Sequence, residues 1–233
     1  MNRKDGGETM PVRVMLSFRD YKPVSLALFD FDGTLIPGDS VVDYLRFARK
    51  SRAVSIREYL RAVWAAIQYK CKRMTDAESK SAALAFRKRH DPAYLDRLDR
   101  DFVEQILLPK VYAEGKKRMD MHRREGKKLV LVSASTENYM RFVAKALGFD
   151  VLLATPIEPD GAIKRNCKGE AKVGRIKAWI DENCLIVDYG PSYAYGDSKS
   201  DLPMLRIVGH PVQVNPKKKL RKAAPDMDVL HWK

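Results

Sequence analysis

A chain of 233 residues, 45% of them hydrophobic, is long enough to bury a full core, and no apolar run in it approaches the roughly 18 residues that would read as a membrane span. Three cysteines, Cys71, Cys167 and Cys184, are an odd number without CxxC spacing, which argues against a disulfide framework or a zinc site and fits a reducing cytoplasm. The formal net charge of +14 would attract phosphorylated substrates, anionic lipid headgroups or nucleic acid alike, while each basic run taken singly, such as "KKRMDMHRREGKK" or "NPKKKLRK", reads as a solvated helix face.

Residues 1–22 mix charges and glycines without the apolar stretch of a secretory signal, so a loosely ordered leader is expected there, with Met10 as an alternative start. The apolar run at 24–29, bounded by Pro23 and by "DGT", predicts a fully buried strand. From about residue 41 to 117 the periodicity is helical throughout. Tyr59, Leu60, Val63, Trp64 and Ile67 recur at helical spacing, as do Phe102, Val103, Ile106 and Leu107, which reads as an all-helical insertion with Trp64 and its apolar neighbours expected in its core. The segment "REYLRAVWAAIQYKCKR" also has the basic flanks of an interfacial helix, which would suit an anionic membrane surface and a peripheral location. Further apolar runs at 128–132, 150–155, 192–196 and 210–215 predict strands, and helical patterns at 136–147, 169–182 and 200–207 separate them, with Gly148 and Gly209 as helix stops. This alternation predicts an α/β fold, a Rossmann-like parallel sheet flanked by helices. The expected division is a core of residues 23–38 and 118–233 and an inserted cap of residues 39–117.

Two aspartates spaced two apart at a strand end, Asp30 and Asp32, repel each other unless a cation, a proton or a substrate compensates. A parallel sheet brings the loops after its strands to one edge, where ligands bind. Those loops offer Asp30, Asp32 and Thr34, then Ser133, then Asp197 and Asp201, with Lys168 and Lys172 opening a helix nearby. Oxygen-only ligands suit a hard ion, Mg²⁺ better than Ca²⁺. An aspartate kept ionised in such a setting can attack phosphorus. A carboxylate two residues later can protonate the leaving oxygen and then deprotonate water, and Ser133 with the backbone N–H of Ala134 can bind a phosphoryl oxygen. The histidines His90, His122, His210 and His231 show no ligating spacing, and the cysteines read as small hydrophobes.

In this order "DFDGT", "VSAS", "KGEAK" and "GDSKSD" resemble the four motifs of the haloacid-dehalogenase-like phosphohydrolases, and "CKGEAKV" with "DLPML" and "NPKKKLRKAA" resembles subfamily IB, the relatives of phosphoserine phosphatase. The resemblance implies a Rossmann-like core with a helical-bundle cap, Asp30 as nucleophile, Asp32 as acid and base, and Thr34 orienting the loop. It also implies Mg²⁺ bound by Asp30, the backbone carbonyl of Asp32 and Asp197, with Asp201 bracing the lysine or the metal shell. Lys168 matches the local "KG" of the phosphoserine phosphatases, whereas Lys172 has Ile176 and Trp179 at +4 and +7, as an amphipathic helix needs, and is preferred. Asp39 stands where those enzymes carry a glutamate that recognises the substrate's amino group; it is one methylene shorter, which turns the reading away from L-phosphoserine itself. The function implied is a Mg²⁺-dependent phosphomonoester hydrolase acting through an aspartyl-phosphate on a small phosphorylated metabolite. The alternatives are a lipid head-group phosphatase, phosphatidylglycerophosphate-like, or a phosphotransferase. A less favoured alternative is a nucleic-acid-binding protein with a vestigial phosphatase site. Against it, no recognition motif or interleaved aromatic platform is visible and the catalytic carboxylates are all there, so no specific nucleic acid is expected as a partner. The sequence leaves the oligomeric state open.

Overall fold

The run Leu26–Phe29 (β1) is wholly buried at the centre of the sheet, its side chains packed on both faces and its backbone paired on both edges: Leu28 lies opposite Val130 on one neighbour and Ala194 on the other. The computed structural model describes residues 22–233, so the expected leader, apart from Lys22, lies outside the described residues. In chain order β1 is followed by helices α1 (Ser40–Lys50), α2 (Ile56–Lys70), α3 (Asp76–Leu84), α4 (Pro92–Phe102) and α5 (Ala113–Arg124). Then come β2 (Lys128–Thr136), α6 (Glu137–Leu147), β3 (Val151–Thr155), α7 (Glu170–Glu182), β4 (Tyr193–Gly196), α8 (Leu202–Leu205), β5 (His210–Val214), α9 (Lys218–Ala223) and β6 (Asp228–Leu230). The strands form one parallel sheet in the order β3-β2-β1-β4-β5-β6. The chain moves outward from β1 through β2 to β3, then returns to place β4 on the other side of β1. The carboxyl ends of β1 and β4 therefore flank the point where strand order reverses, the crevice in which doubly wound sheets bind ligands.

Alternate residues of β1 feed the two faces. Ala27 and Phe29 join Tyr44, Phe102, Tyr139 and Tyr195 in one cluster, and Leu26 and Leu28 join Val130, Val132, Ile176 and Met204 in the other. Phe29 and Tyr195 stack with ring centroids 4.6 Å apart across neighbouring strands. The helical insertion is tied to the sheet's helices by a buried charge: Asp99 of α4, wholly buried, accepts hydrogen bonds from the Tyr44 hydroxyl of α1, from both Arg87 Nη atoms at 2.9 and 3.0 Å, and from Asn138 Nδ2 of α6 at 2.8 Å.

Several local expectations need correction. β2 runs on to Thr136 through an irregularity between Val132 and Thr136, so its helix starts at Glu137. The helix expected at 200–207 is a 3-10 turn over Lys199–Asp201 followed by the single turn of α8. β6, too short to show a period, was not anticipated. Cys167 is buried, but Cys71 and Cys184 are exposed, in the turns that end α2 and α7.

The largest departure is in α2. Its start is fixed by a capping box between Ser55 and Glu58, and that of α3 by another between Thr75 and Glu78. Phe102, Val103 and Leu107 are core residues, and Tyr59 is partly buried against the core. Leu60, Val63, Trp64 and Ile67, however, are exposed rather than core. α2 faces the protein through Ala62 and Ala65, and α3, its main neighbour, is itself rich in small residues, so the two helices meet by their small side chains and the large apolar ones point away.

Candidate active site

Asp30 follows β1 directly, and its N–H donates to the Tyr195 carbonyl of β4 at 3.0 Å, so the strand ends are locked together where the carboxylates emerge. Asp197 follows β4, and Asp201 closes the next turn, fixed by the Ser198 N–H and hydroxyl, which donate to its Oδ2 at 3.0 and 2.6 Å. Lys172, buried on α7, places Nζ 2.6 Å from both Asp30 Oδ1 and Asp201 Oδ1. The Thr34 hydroxyl donates to the other oxygen of Asp30 at 3.0 Å. Asp32, partly buried, accepts from the Ser40 N–H at 2.6 Å, from the Ser40 hydroxyl at 3.0 Å and from the Ser135 hydroxyl.

The electrostatics follow from crowding. Burial pushes the Asp30 carboxyl up to about 8, the charge of Asp201 adds to that, and Lys172 opposes it. At Asp201 burial also acts upward, but Lys172 and Ser198 outweigh it and hold the carboxyl below its ordinary range. Burial lowers the Lys172 ammonium while Asp201 and Asp30 raise it, and the carboxylates win, so it stays charged. Asp197 is pushed up by burial against the pull of Lys217, whose Nζ lies 2.6 Å from Asp197 Oδ2. Asp32 is pushed up to about 6, by burial first and then by the charge of Asp39, with the Ser135 and Ser40 hydrogen bonds opposing.

Asp30, Asp197 and Asp201 each present an oxygen within 4.8 Å of the others. Three carboxylates outnumber the one buried lysine among them, and their all-oxygen donor set suits a hard divalent cation of the Mg²⁺ type. The residues fit such an ion.

A cavity of about 250 Å³ opens over this cluster, lined by Asp30, Asp32, Asp197 and Asp201 and, from the helical insertion, by Asp39, Tyr69 and Lys80. Ala134 and Ser135 line it as well; Ser133 is wholly buried, and its Oγ accepts the Ser135 N–H at 3.0 Å. Asp39 caps α1, with Oδ1 accepting from the Val41 and Val42 N–H groups at 3.0 and 3.3 Å. Lys168 also lines the cavity but turns to Tyr69, donating to its hydroxyl at 2.9 Å, with Asp76 Oδ2 at 3.5 Å, so it is Lys172 and not Lys168 that meets Asp30.

The lining or supporting residues that the sequence did not single out include Ser135, which donates to Asp32, and Lys80, Lys217 and Ser40. Lys80 of α3 donates to the Ala134 carbonyl at 2.8 Å and to Asn166 Oδ1 at 3.1 Å. Lys217 stood in the "NPKKK" run just after β5, at the same sheet edge as the aspartates, and that position was the available signal. Ser40 carried none, because only the fold brings it back to Asp32.

The family model for the haloacid dehalogenase-like hydrolases matches residues 27–206. A histidinol-phosphatase of Neisseria meningitidis serogroup C (strain 8013) is 30% identical over 222 residues, which are 90% of this chain and 99% of that protein. A phosphoserine phosphatase of Mycobacterium tuberculosis (strain ATCC 25618 / H37Rv) is 28% identical over 227 residues, 92% of this chain and 74% of its own. Among solved structures, a protein of unknown function from Bordetella pertussis Tohama I has a TM-score of 0.82 at 28% identity, covering 90% of this chain and 99% of that one. A substrate-bound phosphoserine phosphatase complex, with a TM-score of 0.62 at 18% identity over 89% of this chain and 93% of that one, shares the fold. The ordered acidic motifs at one sheet edge and a family match over most of the chain lead to one assignment: this protein belongs to the haloacid dehalogenase-like hydrolases.

Proposed function

We propose that the chain is a Mg²⁺-dependent phosphomonoester hydrolase in which Asp30 attacks phosphorus and Asp32 moves the protons. The observation that carries this reading is the bridge of Lys172 between Asp30 and Asp201 at the floor of a cavity whose wall holds Asp32 between two serines. Lys172 and Thr34 fix the two oxygens of Asp30, so the carboxylate is oriented before substrate arrives. The Lys172 ammonium, together with the charge of a bound cation, would keep Asp30 ionised against the burial that raises it. A bond forms from an Asp30 oxygen to phosphorus as the ester P–O bond breaks, and the departing oxygen takes its proton from Asp32. With its carboxyl pushed up to about 6, Asp32 can give up and take back a proton more readily near neutral pH than an ordinary carboxylate. It then takes a proton from the water that attacks the phosphorus of the Asp30 acyl-phosphate, which frees inorganic phosphate and restores both side chains. Asp30, Asp197 and the backbone carbonyl of Asp32, with Asp201 behind, would hold Mg²⁺, which would neutralise charge on the phosphoryl oxygens when bound.

The helical insertion, residues 39–117, acts as a cap that selects the substrate. A cavity of about 250 Å³ favours a small phosphorylated metabolite. The cavity carries lysines for phosphate and, in Asp39, a carboxylate for a cationic group on the substrate. The names of the Neisseria and Mycobacterium relatives support phosphate monoesters as the substrate class. With Mg²⁺ present, the purified chain is expected to release phosphate from p-nitrophenyl phosphate, and Asp30→Asn is expected to abolish release; turnover retained in that variant removes Asp30 as nucleophile. A panel of phosphoserine, histidinol phosphate, glycerol phosphates and phosphatidylglycerophosphate, with added alcohols as phosphoryl acceptors, ranks substrates and separates hydrolysis from transfer.

A further inference from the structure

Helix α2 is amphipathic the wrong way round for a buried helix. Ile56, Leu60, Val63, Trp64 and Ile67, spaced four, three, one and three residues apart, fall on one arc of the helix, and all five are exposed, Trp64 at 61% and Leu60 at 59%. The opposite arc holds Ala62 and Ala65, which are buried. Exposed apolar side chains scattered singly need no explanation, but a continuous stripe along a helix of 15 residues does.

The charge around the stripe says what covers it. Residues 49–73 carry eight Lys or Arg against a single acid, Glu58, which is half of the chain's net charge of +14. Glu58 is itself paired with Arg89, at 2.7 Å. Arg57 and Arg61 lie exposed beside the stripe, and Arg52 and Lys72 occupy the turns at the two ends of the helix, each with a positive φ of 61 and 58°. A second copy of the chain laid on this face would set these cations against their own counterparts. A convex apolar ridge with a tryptophan in it and a cationic rim matches instead the boundary between headgroups and acyl chains of an anionic bilayer. Among the described residues no helix is long and apolar enough to cross a membrane, so the contact is one of lying on the surface.

We propose that the exposed face of α2 docks the protein onto anionic lipid bilayers, with Leu60 and Trp64 entering the interface and the basic rim contacting lipid phosphates. The contact is independent of the chemistry at Asp30 and is read by binding alone. The full chain is mixed with vesicles of phosphatidylcholine, or of phosphatidylcholine with phosphatidylglycerol, and sedimented. Binding is expected to the phosphatidylglycerol vesicles and not to the neutral ones, weakening as salt is raised. Leu60→Ser with Trp64→Ser is expected to lose binding at least about tenfold, and Arg57→Glu with Arg61→Glu to lose the preference for the anionic vesicles. Both variants change exposed side chains, and turnover of p-nitrophenyl phosphate by each is expected at the level of the parent, which verifies their folding. Failure of the parent chain to bind phosphatidylglycerol vesicles overturns the proposal, as does equal binding by the double serine variant. A dimer in analytical ultracentrifugation that the double serine variant dissolves also overturns it, by making the face a contact between copies.

Discussion

Gly33 lies directly against the carboxylate of Asp197: a Cβ on Gly33 would stand 2.2 Å from Asp197 Oδ2, and the residue has a φ of +83°. The glycine of the first motif thus answers two demands, a left-handed turn after β1 and a close approach to the loop after β4. Gly33→Ala has to push Asp197 away or open the turn. The expected result is a loss of turnover and of apparent Mg²⁺ affinity, each by at least about tenfold, with a stability loss of roughly 1–3 kcal/mol from the strained backbone. Mg²⁺ titration of activity alongside urea denaturation checks both; a variant with the parent's Mg²⁺ dependence removes Asp197 from the metal site.

Lys172 bridges two buried carboxylates, and Lys172→Met leaves Asp30 and Asp201 facing each other without a cation. Removing one partner of a buried ionic cluster costs about 3–5 kcal/mol. Urea denaturation without Mg²⁺ is expected to show a loss of that order, and turnover is expected to vanish. Adding Asp201→Asn removes one of the two stranded charges, so stability should recover in part while turnover does not. Lys172→Arg is expected to fail as well, because a planar guanidinium cannot place one point charge between two oxygens in the same space.

Five of the six strands among the described residues were legible because each is an apolar run bounded by turn residues, and β1, buried on both faces, shows it most plainly. The acidic site was legible for a topological reason: once the sheet is parallel, Asp30, Asp197 and Asp201 must share an edge however far apart they are in sequence. Orientation of the helices was not legible. Periodicity assigns α2 an apolar arc but names no neighbour for it, and the small residues of α3 drew the alanine side inward, leaving Leu60 and Trp64 outside. Asp99 in "DRLDRDF" reads as one more solvated helix charge, yet it is wholly buried, because its partners Tyr44, Arg87 and Asn138 come from three other elements. Lys80 and Ser40 were hidden for the same reason: their roles exist only across the interface between insertion and core.

His122 gives a pH dependence with a definite sign. Its ring is wholly buried, with Nε2 2.7 Å from the Tyr195 hydroxyl and Nδ1 3.2 Å from Glu125 Oε2. Burial lowers its pKa below the ordinary value of 6.5, and it outweighs the opposing pull of Glu125. Below about pH 6.5 the unfolded chain therefore binds a proton that the folded chain resists. This contribution to stability is present above the unfolded value and is lost as pH falls through the folded one. Urea midpoints measured from about pH 8 down to about pH 5 are expected to fall more steeply below about 6.5 for the parent than for His122→Gln. Parallel curves for the two proteins contradict the assignment.

Asp99 couples the insertion to the wall of the site. It anchors Tyr44, four residues beyond Ser40 on α1, and Asn138, the second residue of α6, next to the end of β2 that carries Ser135. Ser40 and Ser135 are the side chains that hold Asp32, and Tyr139 reaches the Ser40 hydroxyl at 3.0 Å. Asp99→Ala strands Arg87, whose side chain is only 10% exposed, and is expected to cost about 3–5 kcal/mol of stability. Arg87→Met with Asp99→Leu removes both charges and should restore much of it. The two effects separate in kinetics. Asp30, Asp197 and Asp201 do not touch this network, and the Asp32 group proposed for the ion is its backbone carbonyl, not the side chain that the serines hold. The apparent Mg²⁺ affinity of Asp99→Ala is therefore expected to change much less than kcat at a temperature where both proteins are folded. Asp32, proposed as the acid and base, loses its fixed geometry, so kcat is expected to fall by about tenfold or more. A fall in Mg²⁺ affinity with kcat preserved would reverse the assignment and place the influence of Asp99 on the metal side of the cavity.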